Sequence, residues 1–80
     1  MSNKIQFLKR RHCHLCDEAL PLLQQACQTR SLVFEIIDID QTPGFEAYSD
    51  EIPVLLVNGK KVLKYRFSGD QLSKILDRIN

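Results

Sequence analysis

The run Cys13-His14-Leu15-Cys16 constrains the fold of this 80-residue chain more than any other feature. It follows a short apolar stretch with strand character, Ile5 to Leu8, and it opens a segment with helical periodicity. Two thiols at this spacing at the start of a helix can close into a disulfide within one turn. The unpaired backbone N–H groups and the helix dipole favour an anion there, and the thiolate is the reactive form of cysteine. The motif therefore predicts thiol–disulfide chemistry.

The apolar pattern predicts an α/β chain in the order β-α-β, then β-β-α. The first strand is expected at about residues 4–9, and a helix over 14–29 is interrupted by Pro21. Val33 to Asp40 is apolar on both faces, which predicts a buried strand that a right-handed crossover makes parallel to the first. The Asn58-Gly59 pair predicts a tight hairpin. The remaining predicted elements are a helical turn around 45–48, strands over 52–57 and 61–67, and a helix over 70–79.

Size and composition predict one globular domain spanning residues 1–80. With 44% hydrophobic and 26% charged residues, the composition is not that of a disordered chain. A net charge of +1 argues against general nucleic-acid binding. No signal peptide or membrane-length apolar run is visible, so we expect a cytoplasmic protein that does not bind membranes. In a reducing cytosol, three cysteines suit one redox pair and one bystander.

The element order and three motifs resemble the thioredoxin superfamily, and most of all its small glutaredoxin-like members. The Cys13–Cys16 motif follows the first strand, and Pro21 falls where thioredoxins carry a helix-kinking proline. Ile52-Pro53 matches the proline that this superfamily holds in cis beside its active site. The resemblance implies a thioredoxin-like fold, β-α-β-β-β-α, with a four-stranded mixed sheet flanked by helices. It also implies that Pro53 packs against the two sulfurs and that the backbone of Ile52 pairs with an extended substrate segment.

Other positions depart from the typical patterns of both groups. Thioredoxins have a buried aspartate six residues before the first cysteine and a tryptophan beside the motif, whereas this chain has Phe7 and no tryptophan. On these points it is closer to glutaredoxins. Glutaredoxins typically carry Cys-Pro-Tyr-Cys, Thr-Val-Pro and Gly-Gly-Asp, where this chain has His14-Leu15, Glu51-Ile52-Pro53 and Ser68-Gly69-Asp70. Two of the three glutathione-contacting segments are therefore altered.

We expect Cys13 to attack a substrate disulfide and Cys16, one turn further along the helix, to resolve the mixed disulfide. The expected partner is a disulfide-containing protein or a glutathione mixed disulfide, with glutathione as co-substrate and no bound cofactor. His14, as a cation, would stabilise the thiolate, or it is simply a solvated histidine. A zinc site at the two cysteines would need about four ligands, and no Cys or His follows Cys27.

The resemblance to glutaredoxins implies four candidate positions for binding glutathione, and the arginines among them could instead attract an acidic protein partner. Arg10 and Arg11 precede the motif, and Gly69 and Asp70 open the last helix. The alternatives are a solvated charge run for the arginines, and a turn glycine followed by an N-cap aspartate for the other two.

Five further residues receive structural interpretations. Cys27 lies on the apolar face of the first helix and is expected in the core. Asp38 and Asp40 are interpreted as solvated charges at a strand end, with a metal site as the alternative. Phe45 and Tyr48 are expected to cover the sheet, and Tyr48 could instead border the active site.

The sequence thus predicts a small, monomeric thiol–disulfide oxidoreductase. The altered glutathione segments leave open a redox sensor or partner-binding module with little turnover. Metal binding through Cys13 and Cys16 is the third hypothesis.

Overall fold

A computed structural model describes residues 3–79, and its elements follow the predicted order. The four strands form one mixed sheet in the order β2-β1-β3-β4, in which β2 is parallel to β1, and β3 is antiparallel to both β1 and β4. This is the α/β thioredoxin-like architecture that was expected. The elements are β1 (Ile5–Lys9), α1 (His14–Gln28), β2 (Glu35–Asp38), a 3-10 turn (Glu46–Tyr48), β3 (Val54–Val57), β4 (Lys60–Lys64) and α2 (Gly69–Ile79).

The main core lies between one face of the sheet and the two helices. Phe7 on β1 is fully buried, and its ring meets that of Phe67 edge to face with centroids 5.8 Å apart. Aromatic rings favour this arrangement because the positive edge of one faces the negative face of the other. Four leucines from β3 and both helices are also fully buried in this cluster: Leu23, Leu55, Leu72 and Leu76.

A smaller apolar cluster covers the opposite face of the sheet. Leu8 and Val54, which are partners in the β1–β3 register, form its centre. Phe45 and Tyr48 pack against them from the connection that holds the 3-10 turn, as expected. The connection between β2 and β3, with its 3-10 turn, therefore shields this face of the sheet from solvent.

The second strand is shorter and more exposed than its apolar run predicts. It pairs in parallel with β1 as expected, but it lies at the edge of the sheet. Ile36 is 50% exposed, and Val33, which precedes the strand, is 81% exposed. The prediction of a buried strand is wrong because β2 has a neighbouring strand on only one side.

The β3–β4 hairpin turns at the predicted pair, Asn58 and Gly59. Both adopt left-handed backbone, with φ of 53° and 83°, which is the conformation that a tight two-residue hairpin turn requires. The fourth strand ends at Lys64, before the predicted Phe67, because Tyr65 also adopts left-handed backbone (φ 67°) and directs the chain towards α2.

The last helix begins one residue earlier than predicted and has a different cap. The Ser68 hydroxyl accepts a hydrogen bond from the Gln71 backbone N–H at 3.2 Å, and the Gln71 side-chain oxygen accepts one from the Ser68 N–H at 3.1 Å. This reciprocal arrangement is a capping box. The prediction that Asp70 is the N-cap is therefore wrong, and Asp70 lies in the first turn.

The first helix runs from His14 to Gln28 with Pro21 inside it. Within residues 3–79, neither helix is long and apolar enough to cross a membrane.

Candidate active site

The dithiol motif lies where the chain passes from β1 into α1. His12 adopts left-handed backbone (φ 58°), and Cys13 then takes extended angles as the N-cap residue of α1. The Cys13 sulfur accepts a hydrogen bond from the Cys16 backbone N–H at 3.2 Å, and the Cys13 carbonyl accepts one from Asp17 at 3.0 Å. The sulfur thus occupies the capping position, where unpaired N–H groups and the helix dipole favour negative charge.

Cys13 and Cys16 are joined by a disulfide, with their Cα atoms 5.2 Å apart. The two sulfur environments differ. Cys16 is 1% exposed and belongs to the main core, whereas Cys13 is half-buried and packs at the edge of that core. Cys13 is therefore the more exposed of the two cysteines, as expected from the sequence.

The Ile52-Pro53 peptide bond is cis, as the resemblance implies. Pro53 is buried, and the half-buried Ile52 packs against the same apolar cluster that Cys13 and Cys16 join. Within residues 3–79, the N–H and C=O groups of Ile52 have no hydrogen-bond partner. Pairing of these groups with an extended substrate segment stays a prediction. Direct contact between Pro53 and the sulfurs stays a prediction.

Arg10 is engaged within the protein. Its guanidinium donates to both carboxylate oxygens of Asp40, at 2.8 and 3.2 Å, and to the Ser49 hydroxyl at 2.6 Å. The hydrogen bond to Asp40 raises the pKa of Arg10. Asp40 is exposed, as the sequence indicates, and it also has an ion-pair partner. Arg10 thereby ties the end of β1 to the connection that follows β2.

Three other residues beside Cys13 point into solvent. Arg11, His12 and His14 are exposed, and in the described part of the chain none of them forms a hydrogen bond or ion pair through its side chain. These three positive or titratable residues therefore lie within two positions of Cys13 in the chain.

Gly69 and Asp70 are exposed at the start of α2. The capping box satisfies the N–H of Gln71, whereas those of Gly69 and Asp70 have no partner among residues 3–79. Two backbone donors at a helix N-terminus thus remain free for an anion.

A family model described as "Glutaredoxin-like domain (DUF836)" matches residues 4–77. The chain belongs to this glutaredoxin-like family. A solved structure, target protein XcR50 from X. campestris, is 32% identical, with 95% of this chain and 99% of that chain covered and a TM-score of 0.75. The "Glutaredoxin-like protein YDR286C homolog" of Dictyostelium discoideum is 29% identical, covering 98% of this chain and 79% of that protein.

Thioredoxin 1 from Thermosipho africanus TCF52B is similar to this chain in fold. It shares 22% identity and a TM-score of 0.69, with 94% of this chain and 91% of that chain covered. This similarity extends the shared fold to the thioredoxins. The fold and the Cys13–Cys16 pair at disulfide distance together support a redox-type function for this glutaredoxin-like protein.

The third cysteine of this glutaredoxin-like protein is in the core. Cys27 is a free thiol, 1% exposed, and burial raises its pKa. Among residues 3–79, no three His, Cys, Asp or Glu side chains form a group that could hold a metal ion. Metal binding within one chain therefore lacks a ligand set in the described residues.

The structure adds two residues near the site that sequence reasoning missed. The Glu51 carboxylate accepts from Lys61 at 2.8 Å and Lys64 at 3.4 Å, and the hydrogen bond from Lys61 lowers the pKa of Glu51. The Tyr65 N–H donates to the Pro53 carbonyl at 2.9 Å and more weakly to the Glu51 carbonyl at 3.3 Å. The lysines of the predicted fourth strand could have indicated an ion-pair partner for Glu51. Nothing in the sequence indicates the left-handed backbone of Tyr65.

Proposed function

We propose that this glutaredoxin-like protein is a thiol–disulfide oxidoreductase in which Cys13 is the nucleophile and Cys16 the resolving thiol. The observation that carries the proposal is the contrast between the two sulfurs. One is accessible and caps a helix, and the other is buried within bonding reach of it.

The reaction begins from the dithiol form. The Cys13 thiolate attacks one sulfur of a substrate disulfide, a bond forms between Cys13 and that sulfur, and the other sulfur leaves as a thiolate. The Cys16 thiolate then attacks the Cys13 sulfur and expels the second substrate thiolate. Each leaving thiolate takes up a proton, so two electrons pass to the substrate and the protein is left with the Cys13–Cys16 disulfide. A small dithiol or two molecules of glutathione return it to the dithiol form.

The surroundings of Cys13 favour its ionised form. The Cys16 N–H points at the sulfur, and the exposed His14, when protonated, adds positive charge beside it. Phe7 stands where thioredoxins hold a buried carboxylate. No carboxylate at that position can therefore accept the Cys16 proton in this chain.

Two features support binding of an extended thiol compound or peptide segment beside the sulfurs. The free backbone groups of Ile52 can pair with it as an added strand would. The free N–H groups of Gly69 and Asp70, and the cation of Arg11, can receive a carboxylate. Arg10 is committed to Asp40 and is the weaker candidate. The substrate is accordingly a protein disulfide or a glutathione mixed disulfide.

The test uses three cysteine variants and a disulfide-bonded peptide. Cys13→Ser is expected to abolish reduction of the peptide, because it removes the nucleophile. Cys16→Ser is expected to accumulate the mixed disulfide at Cys13, seen as a mass adduct that dithiothreitol removes. Cys27→Ser is the control and should keep turnover. Full turnover by Cys13→Ser would overturn the assignment.

A redox sensor or partner-binding module with little turnover is the second candidate. Glu51-Ile52-Pro53 stands where glutaredoxins typically carry Thr-Val-Pro, and this altered glutathione-contacting segment favours the second candidate. In a sensor, the pair would switch an interface instead of cycling. Affinity for a captured partner that is the same for the dithiol and disulfide forms would exclude this candidate.

A further inference from the structure

A small cleft lies beside the dithiol, between α1 and the segment that joins β4 to α2. Its volume is about 130 Å³, and its apolar lining comes from Leu15, Ala19 and Leu22 on one side and from Tyr65 and Phe67 on the other. Leu22 is 37% exposed and Tyr65 43% exposed, so two of the largest hydrophobic side chains on the surface meet here. Glu18 and Arg66, of opposite charge, complete the lining.

The cleft shares one lining residue with the dithiol motif. Leu15 lies between the two cysteines and also lines the cleft. Because α1 begins directly after Cys13, the cleft opens within two turns of the helix from the accessible sulfur. A polypeptide joined to Cys13 therefore has side chains within reach of the cleft.

The wall formed by Tyr65 is held in an uncommon conformation. Its φ of 67° is rarely adopted by a bulky residue and persists only where the surroundings enforce it. Here the Tyr65 N–H donates to the Pro53 carbonyl at 2.9 Å, and the Lys64 ammonium lies 5.2 Å from the ring centroid. The same residue thus forms one side of the cleft and braces the loop whose free backbone groups can pair with substrate.

We propose that this cleft binds one bulky apolar side chain, such as leucine, methionine or phenylalanine, of the substrate polypeptide beside its reactive half-cystine. The proposal rests on the oxidoreductase function proposed above and names its substrate class. An apolar cavity of about 150 Å³ is known to hold a benzene molecule, so a cleft of slightly smaller volume suits a single side chain of this size. Glutathione has no such side chain, and the cleft therefore favours protein disulfides over glutathione disulfides.

The test compares two peptide disulfides that differ only in having leucine or alanine at the positions flanking the half-cystine. Bis(2-hydroxyethyl) disulfide, which has no side chains, reports the dithiol chemistry separately. The wild-type protein is expected to reduce the leucine peptide with a kcat/KM about tenfold above that of the alanine peptide, the discrimination typical of an apolar pocket.

Two variants alter the cleft and one serves as a control. Leu22→Gln and Tyr65→Gly should each bring the leucine-to-alanine ratio close to one, because each removes an apolar wall. Glycine accepts the left-handed backbone of position 65, so the second variant retains the hydrogen bond to Pro53 and folds even if the first does not. Ile36→Gln makes the same kind of change at an exposed position on β2 and should keep the wild-type ratio.

The outcomes separate the two proposals. Two results would overturn the cleft assignment and leave the oxidoreductase function standing. The first is reduction of all three disulfides without a preference for the leucine peptide. The second is a leucine preference that is the same in both cleft variants as in the wild type. No reduction of any of the three disulfides would overturn the oxidoreductase function, and the cleft assignment with it.

Discussion

At the scale of single residues, the three cysteines show how environment divides one side-chain type into different roles. Cys13 caps a helix at the surface, Cys16 lies beneath it in the core, and Cys27 is buried three turns further along the same helix. Burial raises the pKa of the Cys27 thiol because a thiolate would lose its hydration there. Cys27 is accordingly an inert core residue, although it carries the same thiol group as Cys13 and Cys16.

This difference predicts how stability depends on pH. In the unfolded chain the Cys27 thiol ionises near its ordinary pKa of 9.0, whereas in the folded protein it stays protonated to higher pH. The unfolded state then binds fewer protons, so the free energy of unfolding should fall as pH rises above about 9. Cys27→Ala should lose about 1 kcal/mol at pH 7, as expected for a buried methyl-sized group, and should show a smaller loss at high pH. Urea unfolding of both proteins from pH 7 to 10 measures this; an identical decline in the two would contradict it.

The sequence was sufficient to predict the placement of residues that depends on local pattern. The spacing of Cys13 and Cys16 and the helical periodicity around Cys27 both follow from neighbours within a few turns. The ion pair of Arg10 with Asp40 joins residues 30 positions apart, and no local pattern in the sequence indicates that the two charges pair. The left-handed Tyr65 depends on its hydrogen bond to Pro53, which only the folded chain brings near.

At the scale of elements, predictions held in the interior of the fold and failed at its edges. The order and type of the strands and helices followed from apolar period and turn residues, since these reflect which face is buried. The apolar run from Val33 to Asp40 could not reveal that β2 pairs with only one other strand, because apolar content does not determine the position of a strand within a sheet. The start of α2 shifted because Ser68 and Gln71 form a reciprocal cap that competes with Asp70.

The capping box makes a prediction for α2. Ser68→Ala should lower the free energy of unfolding by about 1 kcal/mol, because the Gln71 N–H loses its partner at the helix N-terminus. Ser73→Ala makes the same substitution inside the same helix, where alanine is the better helix former, and should have little effect or stabilise slightly. Chemical denaturation of both variants measures the difference. Equal stabilities would mean that the cap contributes nothing.

At the scale of the whole molecule, ion pairs join elements that are distant in sequence. Arg30, just after α1, pairs with Asp77 on α2 at 2.8 Å, and Glu51 pairs with Lys61 and Lys64 on β4. The hydrogen bond from Arg30 lowers the pKa of Asp77, and that from Lys61 lowers the pKa of Glu51. These pairs tie α1 to α2 and the loop before β3 to the edge strand.

The lowered pKa values predict acid sensitivity. Ordinary values are 4.5 for Glu51 and 3.8 for Asp77, so the unfolded chain takes up protons before the folded protein does. The stabilisation is present above about pH 4.5 and is lost as pH falls through the lowered folded-state values. Asp77→Asn should reduce this loss, since the variant has no carboxyl to protonate there. Asp70→Asn, at an exposed carboxylate without a partner among residues 3–79, is the matched control. An acid profile of Asp77→Asn equal to that of the wild type would contradict the assignment.

The most direct test of the dithiol function is thiol counting by mass spectrometry across a series of glutathione redox buffers, with and without denaturant. Cys13 and Cys16 should become oxidised together at one potential, with the two-electron dependence of about 30 mV per tenfold change in the equilibrium constant. Cys27 should react with an alkylating reagent only in denaturant. A glutathione adduct on Cys13 at intermediate potentials would add glutathione as a reaction partner. If Cys13 and Cys16 instead remain reduced in every buffer, or are oxidised independently of each other, the pair is not a redox dithiol.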